Sequence, residues 1–291
     1  MSIIGDIGGA PEEERRGVRV SNLILILWIV TLAFNMVAYN MASNAISEGQ
    51  LGRIRTYFLK YMDVLLVYIV SFIFGFLLSA LIFYSIARYG RRDKIYLLGG
   101  VLFMISGIFD ILSAFYTYKL RTEMEYVVKN LPLISIDELY DLLFKMDREF
   151  IYYINLYNIG SIMAIGGAFI FFGLSAILLA RTLSNYLVAP VYPTMIPPTH
   201  EEGSEEFLAK IQAGEIDISE FKKAISDIRI SGILFMLTGI IDLLAFIEIF
   251  QALLTFAFFL FLIGMYFESR GYKRLQRLQL PVKGGFSEIF G

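Results

Sequence analysis

The sequence predicts an all-α fold: a polytopic membrane helix bundle with six transmembrane helices arranged as three parallel-repeat hairpins. Three observations carry that expectation. Of 291 residues, 57% are hydrophobic and 18% charged, with a mean hydropathy of +0.65, against about 45–50% and about 25% in soluble domains. The excess is gathered into runs nearly free of charge: Val20–Ala42, Val64–Ala87, Ile95–Tyr118, Ile151–Ala180, Ile230–Ile249 and Ala252–Phe267. Two of these runs also repeat one another, since Gly100–Leu112 and Gly232–Leu244 align without gaps and match at eight of thirteen positions.

In chain order, residues 1–19 form a polar cytoplasmic tail. Glu12, Glu13, Glu14, Arg15 and Arg16 give it an acidic-then-basic stretch, unlike the basic start of a signal peptide, so the first helix is expected to be retained. That stretch formally fits the Glu-Glu-x-x-Arg pattern of intramembrane prenyl-protein proteases, yet it lies in a soluble tail without that family's later histidines. It also fits the Pro-x-[Asp/Glu]-x-x-[Lys/Arg] carrier signature, which belongs at the ends of odd helices and is missing there. Residues 20–181 hold helices 1–4, with outer loops at 43–63 and 119–150. About 20 apolar residues cross a 30 Å core, and the first four runs satisfy this. Within the loops, Gln50–Met62 reads as a surface helix, with Leu51, Ile54 and Phe58 on one face, that runs directly into the second span. Ser135, Ile136, Asp137 and Glu138 form a capping box that opens an amphipathic helix with Leu139, Leu142 and Leu143.

Residues 182–228 form a cytoplasmic piece. Pro190, Pro193, Pro197 and Pro198 make a stiff spacer, followed by a two-helix hairpin. Helices 5 and 6 occupy 229–268, where Ile230–Phe267 must cross twice around Glu248 and Gln251; a re-entrant hairpin is the alternative. Residues 269–291 are a basic cytoplasmic tail. Orientation follows Lys and Arg, with 17 on the side bearing both termini and 8 on the other. By the positive-inside rule the chain is a multi-pass cell-membrane protein with both termini cytoplasmic. Odd helices then all run the same way, so the repeats are parallel, unlike inverted-repeat transporter plans.

Several chemistries are excluded by composition. With no cysteine and a single histidine, His200, disulfides, thiolate sites and histidine metal clusters have no residues to build on. A net charge of −2 gives no footprint for nucleic acid. No catalytic motif, cofactor fingerprint or metal set is present, and an enzyme is not expected. The wealth of Ile and Tyr without Cys matches thermophile proteins.

Two acids sit inside spans. Asp110 and Asp242 hold the same place in the repeat, each three residues after a glycine, Gly107 and Gly239, that admits a neighbouring helix. Ionisable groups at depth read as functional by default, here as a cation or proton site. The structural reading is that they reach water or hydrogen-bond a Tyr or Ser across a helix contact, and it is the preferred one. Asn35, Asn155 and Asn158 are interhelical hydrogen-bond candidates. Ser71, Gly75 and Ser79, with Gly160, Ala164 and Ala168, recur every four residues as helix-packing faces.

In the cytoplasmic hairpin, Gly214 stops one helix and Asp217 with Glu220 caps the next; Leu208, Ile211, Ile216 and Phe221 make an apolar seam. Over about 25 residues this resembles the two-helix SHOCT module, Gly-Glu-Ile-Thr-x-x-Glu-Phe in its usual form, with Asp217 replacing the threonine. It departs in lying between helices 4 and 5 instead of at a terminus, and in lacking the downstream leucine. The resemblance implies oligomerisation or partner contacts. The helices' Gly-Ile-Leu-Phe-x-x-Gly patterns also look like those of uncharacterised multi-pass membrane proteins of thermophilic archaea, which brings no activity with it. The expected function is a non-enzymatic assembly or partner-binding component. Its partners are the lipid bilayer and, through the hairpin, a second copy or another membrane protein. The alternative is a small ion- or proton-coupled transporter or channel using Asp110 and Asp242.

Overall fold

The computed structural model describes residues 26–47 (without 28 and 32), 54–89, 93–130, 136–188, 217–244 and 253–278. The expected N-terminal tail, proline-rich spacer, His200, Leu208, Ile211, Ile216, the reversal at Glu248 and Gln251, and the tail beyond residue 278 lie outside them. The described chain is helical: α1 (Ile29–Ser47), α2 (Ile54–Tyr89), α3 (Lys94–Asn130), α4 (Ile136–Met146), a π-helical turn (Asp147–Ile151), α5 (Tyr152–Val188), α6 (Ile218–Leu244) and α7 (Leu253–Arg277). Among the described residues, five helices are long and apolar enough to cross a membrane: α1, α2, α3, α5 with α4 joined to it, and α6. This is a multi-pass membrane protein. In α7 the charge-free run Leu253–Phe267 extends only about 22 Å at 1.5 Å per residue, short of a roughly 30 Å core.

The helices carry large apolar residues on their outer as well as their inner faces. Large apolar residues face outward, as with Ile230, Ile233, Leu237, Ile240 and Leu244 on α6 and Leu66, Ile73, Leu77 and Tyr84 on α2. Their spacing of three and four marks one stripe per helix. Small and hydroxylated residues face inward: Ser71, Ser79, Ser106, Ser113, Ser161, Ser175, Ser231 and Thr238 are all buried. Lipid tails are as apolar as leucine, so outward Leu and Ile cost nothing, and small residues let the helices approach closely.

The described chain divides into two compact units, one from Ile82–Leu102 and Ile165–Gly291, the other from Leu23–Leu81 and Phe103–Ala164. In the first unit α5 and α6 pack antiparallel through paired glycines. A Cβ on Gly173 would lie 2.5 Å from the Gly232 carbonyl oxygen, and one on Gly232 would lie 2.7 Å from the Gly173 carbonyl oxygen. Gly166 and Gly239 meet in the same reciprocal way. Only glycine permits this approach. Towards the charged end of α6, Phe221, Ala224, Ile225 and Ile228 close a core with Ala176, Ala180, Leu183, Tyr272 and Leu275.

In the second unit α2 and α3 extend past their apolar runs and build a small core with α4. Phe58, Leu65, Leu120, Met124, Val127, Val128, Met146 and Phe150 are buried there, with Leu139 and Leu142 packed against them. Helix therefore fills most of the described residues of both expected outer loops. The segment read as a surface helix running into the second span is, from Ile54 onward, the first turns of α2, as expected, but Phe58, placed on its surface-lying face, is buried against neighbouring helices. The loop expected over 119–150 is helical for most of its described length. Helical hydrogen bonding runs on regardless of whether lipid or water surrounds it, so the ends of apolar runs do not end helices. For the same reason α6 starts at Ile218 and passes without a break through the expected boundary at 228/229.

Candidate intramembrane polar site

The second unit carries a polar cluster at its centre. Asp110 of α3 accepts a hydrogen bond from Ser161 Oγ of α5 at Oδ1 (2.9 Å), and Ser161 Oγ lies 2.8 Å from Ser106 Oγ. Ser106 is one turn before Asp110, so α3 supplies both ends of this short chain and α5 its middle. The other carboxylate oxygen faces Gly75 of α2, where a Cβ would come within 2.5 Å of Oδ2. Gly75 is thus the notch that admits the carboxylate. One turn away on each helix the pattern repeats with neutral groups. Ser113 Oγ donates to Asn158 Oδ1 (3.2 Å), and Ser71 Oγ donates to Asn35 Oδ1 (2.8 Å).

These contacts draw α1, α2, α3 and α5 together through oxygen ligands and hydroxyl donors. Among the described residues, no lysine, arginine or histidine reaches Asp110. The arrangement matches the structural expectation of a hydroxyl across a helix contact. Ser161 and Ser106 were not singled out by the sequence reading, although Ser161 follows Asn158 by one turn and could have been found by that spacing.

The remaining expected residues fall as follows. Asp242 lies in the first unit, buried, with no hydrogen-bond donor reaching it among the described residues; Asp110 belongs to the second unit, and each stands by itself. Asn155 is exposed. Ser79 meets Gly107, where a Cβ would lie 2.9 Å from the Ser79 Cβ, and Gly160 receives the Phe109 ring at 3.0 Å. Ala164 and Ala168 are buried. The small-residue stripes are therefore internal packing surfaces in these units.

Of the hairpin, the second helix start is described. Asp217 Oδ1 accepts from the backbone N–H groups of Ser219 (2.8 Å) and Glu220 (3.2 Å), which is the Asp217 half of the expected capping box. Glu220 pairs with Lys223 at 2.8 Å and stands 3.7 Å from Arg274. Phe221, expected on a partner-binding seam, is fully buried against this chain's own α5 and α7; its ring is not offered to a partner. Close by, the buried Asp227 carboxylate sits 3.5 Å from both Arg270 and Arg274. Nothing in the residue spacing foretold this ion cluster, because its two sides come from different helices.

One surface was only half legible. The sequence put Leu139, Leu142 and Leu143 on one face of α4. In the structure Leu139 and Leu142 pack inward, whereas Leu143 is 37% exposed beside Tyr140 at 69% and Phe144 at 68%. At 100° per residue α4 has three arcs: an apolar arc that the chain covers, an aromatic arc that it leaves bare, and a charged arc with Glu138, Asp141 and Lys145. Comparison with known proteins finds no matching family model, no similar curated protein and no similar solved structure.

Proposed function

We propose that this chain is a non-enzymatic component of a membrane assembly, joining a second copy of itself through the bare aromatic arc of α4. The observation that carries this reading is the exposure of Tyr140, Leu143 and Phe144 on a segment beyond the apolar run. Counting back from Ile151 at 1.5 Å per residue puts Tyr140 about 16 Å further along the helix axis. Headgroup layers are only about 5–7 Å deep on each side of the core, so lipid does not account for the arc. Asp147, Arg148 and Glu149 separate it from the apolar run, as expected of a stretch standing in water. A contiguous apolar face in water reads as a contact surface, and closed homo-oligomers are the commonest assemblies. Replacing Tyr140 and Phe144 together by Glu should lower the subunit number measured in membranes. An unchanged number would remove the reading.

The proposal includes the finer topology. The lysine and arginine distribution puts both termini in the cytoplasm, which requires an even number of spans; α7 supplies the sixth, its short apolar run of about 22 Å being met by local thinning of the bilayer. The repeat is supported by packing register: Leu102 meets Gly167, and Leu234, its equivalent in the second copy, meets Gly264 beside the nearer Phe235 ring. A cell membrane is the proposed location, and a different membrane protein is the alternative partner.

A second reading keeps a transporter or channel in which Asp110 binds a cation or proton. It is favoured by the all-oxygen surroundings of Asp110 and the absence of a cationic partner among the described residues. Uptake into vesicles that survives Asp110→Asn unchanged would exclude it.

A further inference from the structure

We propose that a cleft between the end of α5 and the start of α6 binds the phosphodiester headgroup of an anionic membrane lipid. Ser184, Lys222, Ile225, Ser226 and Arg229 line it. Arg229 already donates from Nη2 to Ser184 Oγ at 3.3 Å, so its guanidinium is turned into the cleft. Lys222 and Arg229 are seven residues apart, two turns on one face of α6, with Ser226 between them.

Charge distinguishes this place from the rest of the same end. The acids nearby are engaged elsewhere: Glu220 pairs with Lys223 and Arg274, and Asp227 with Arg270 and Arg274. Among the described residues, no carboxylate pairs with Lys222 or Arg229. Among the described residues, two cations and the Ser226 hydroxyl therefore converge with no carboxylate to meet them, while Ser184 gives its own proton to the Ala180 carbonyl (2.7 Å) and holds Arg229 in place; cations with a hydroxyl are a donor set a phosphate takes.

Depth selects the lipid over a soluble phosphate compound. Arg229 immediately precedes the apolar stretch that opens at Ile230, and Ser184 follows Arg181, the charge that ends the apolar run of α5. Both sides of the cleft thus stand at the hydrocarbon boundary, where headgroup phosphates lie. Basic pockets between membrane helices bind headgroups in this way.

The test uses the full-length protein in detergent, titrated with phosphatidylglycerol, phosphatidylcholine or inorganic phosphate, with bound lipid counted by native mass spectrometry. Phosphatidylglycerol should bind in preference to phosphatidylcholine. Lys222→Gln and Arg229→Gln should each weaken it roughly five-fold, and the pair roughly 25-fold, the effect of about one interfacial cation apiece. Lys223→Gln, a neighbouring cation engaged by Glu220, should bind as the wild type does. Thermal melts of all variants should coincide, since the substituted groups are exposed. Equal binding by wild type and the double variant overturns the proposal. So does competition by millimolar inorganic phosphate with no preference between the lipids, which would assign the cleft to a soluble phosphate.

Discussion

Substituting alanine for glycine at two positions of α5 should give opposite signs, and the structure says why. At Gly173 the new methyl carbon would sit 2.5 Å from the Gly232 carbonyl oxygen and 2.8 Å from the Met236 backbone nitrogen. Carbon–oxygen contacts settle at about 3.3–3.6 Å, so α5 and α6 must part by roughly 0.8 Å, because a backbone atom cannot rotate away. At Gly167 the nearest neighbour is a Leu102 terminal methyl at 3.1 Å, which can. Alanine favours the helix by about 1 kcal/mol at either site, and overpacking against a fixed wall costs about 1–3 kcal/mol. The helix preference cancels between the two variants. Gly167→Ala should therefore be neutral or up to about 1 kcal/mol more stable, and Gly173→Ala about 1–3 kcal/mol less stable than Gly167→Ala. Denaturing-detergent titration followed by circular dichroism measures the difference. Equal stability of the two variants would refute the close α5–α6 approach. Adding Gly166→Ala to Gly173→Ala should cost less than the sum of the two, since one separation of the helices relieves both contacts.

Phe221→Ala should destabilise the fold itself by about 3–5 kcal/mol, as for other buried phenylalanines, visible as a lowered melting temperature at any protein concentration. Asp217→Ala should cost about 1 kcal/mol through the lost cap, read from the same melts. Ser161→Ala should cost about 0.6–2 kcal/mol, the range for interhelical hydrogen bonds in membranes, while Ser161→Thr, which retains the hydroxyl, should recover part of it.

How much of this was readable in the residues differs by element. The apolar runs at Val64–Ala87, Ile95–Tyr118 and Ile151–Ala180 located α2, α3 and α5 because lipid demands such runs. Their ends were not readable, since Leu120, Met124 and Val127 continue α3 in water by packing on Phe58 and Met146. Asp217 was legible because a cap acts over three residues. Asp110 was legible as a buried acid, but Gly75 and Ser161 as its surroundings were not; they lie 35 and 51 positions away, and only the helix register brings them close. Phe221 shows the opposite failure. It was expected on an apolar seam with Leu208, Ile211 and Ile216, which lie outside the described residues, and spacing alone cannot tell whether such a residue is covered by a partner or, as Phe221 is, by the chain's own α5 and α7. On α4 the pattern gave an apolar face without revealing that only part of it is covered.

The most direct test of the proposed assembly counts subunits by single-molecule photobleaching of labelled protein reconstituted in vesicles. Wild-type protein should bleach in two or more steps, and the Tyr140→Glu, Phe144→Glu pair, with an unaltered melting temperature, in one. Single-step bleaching of the wild type, or the same step distribution in both, would contradict the account.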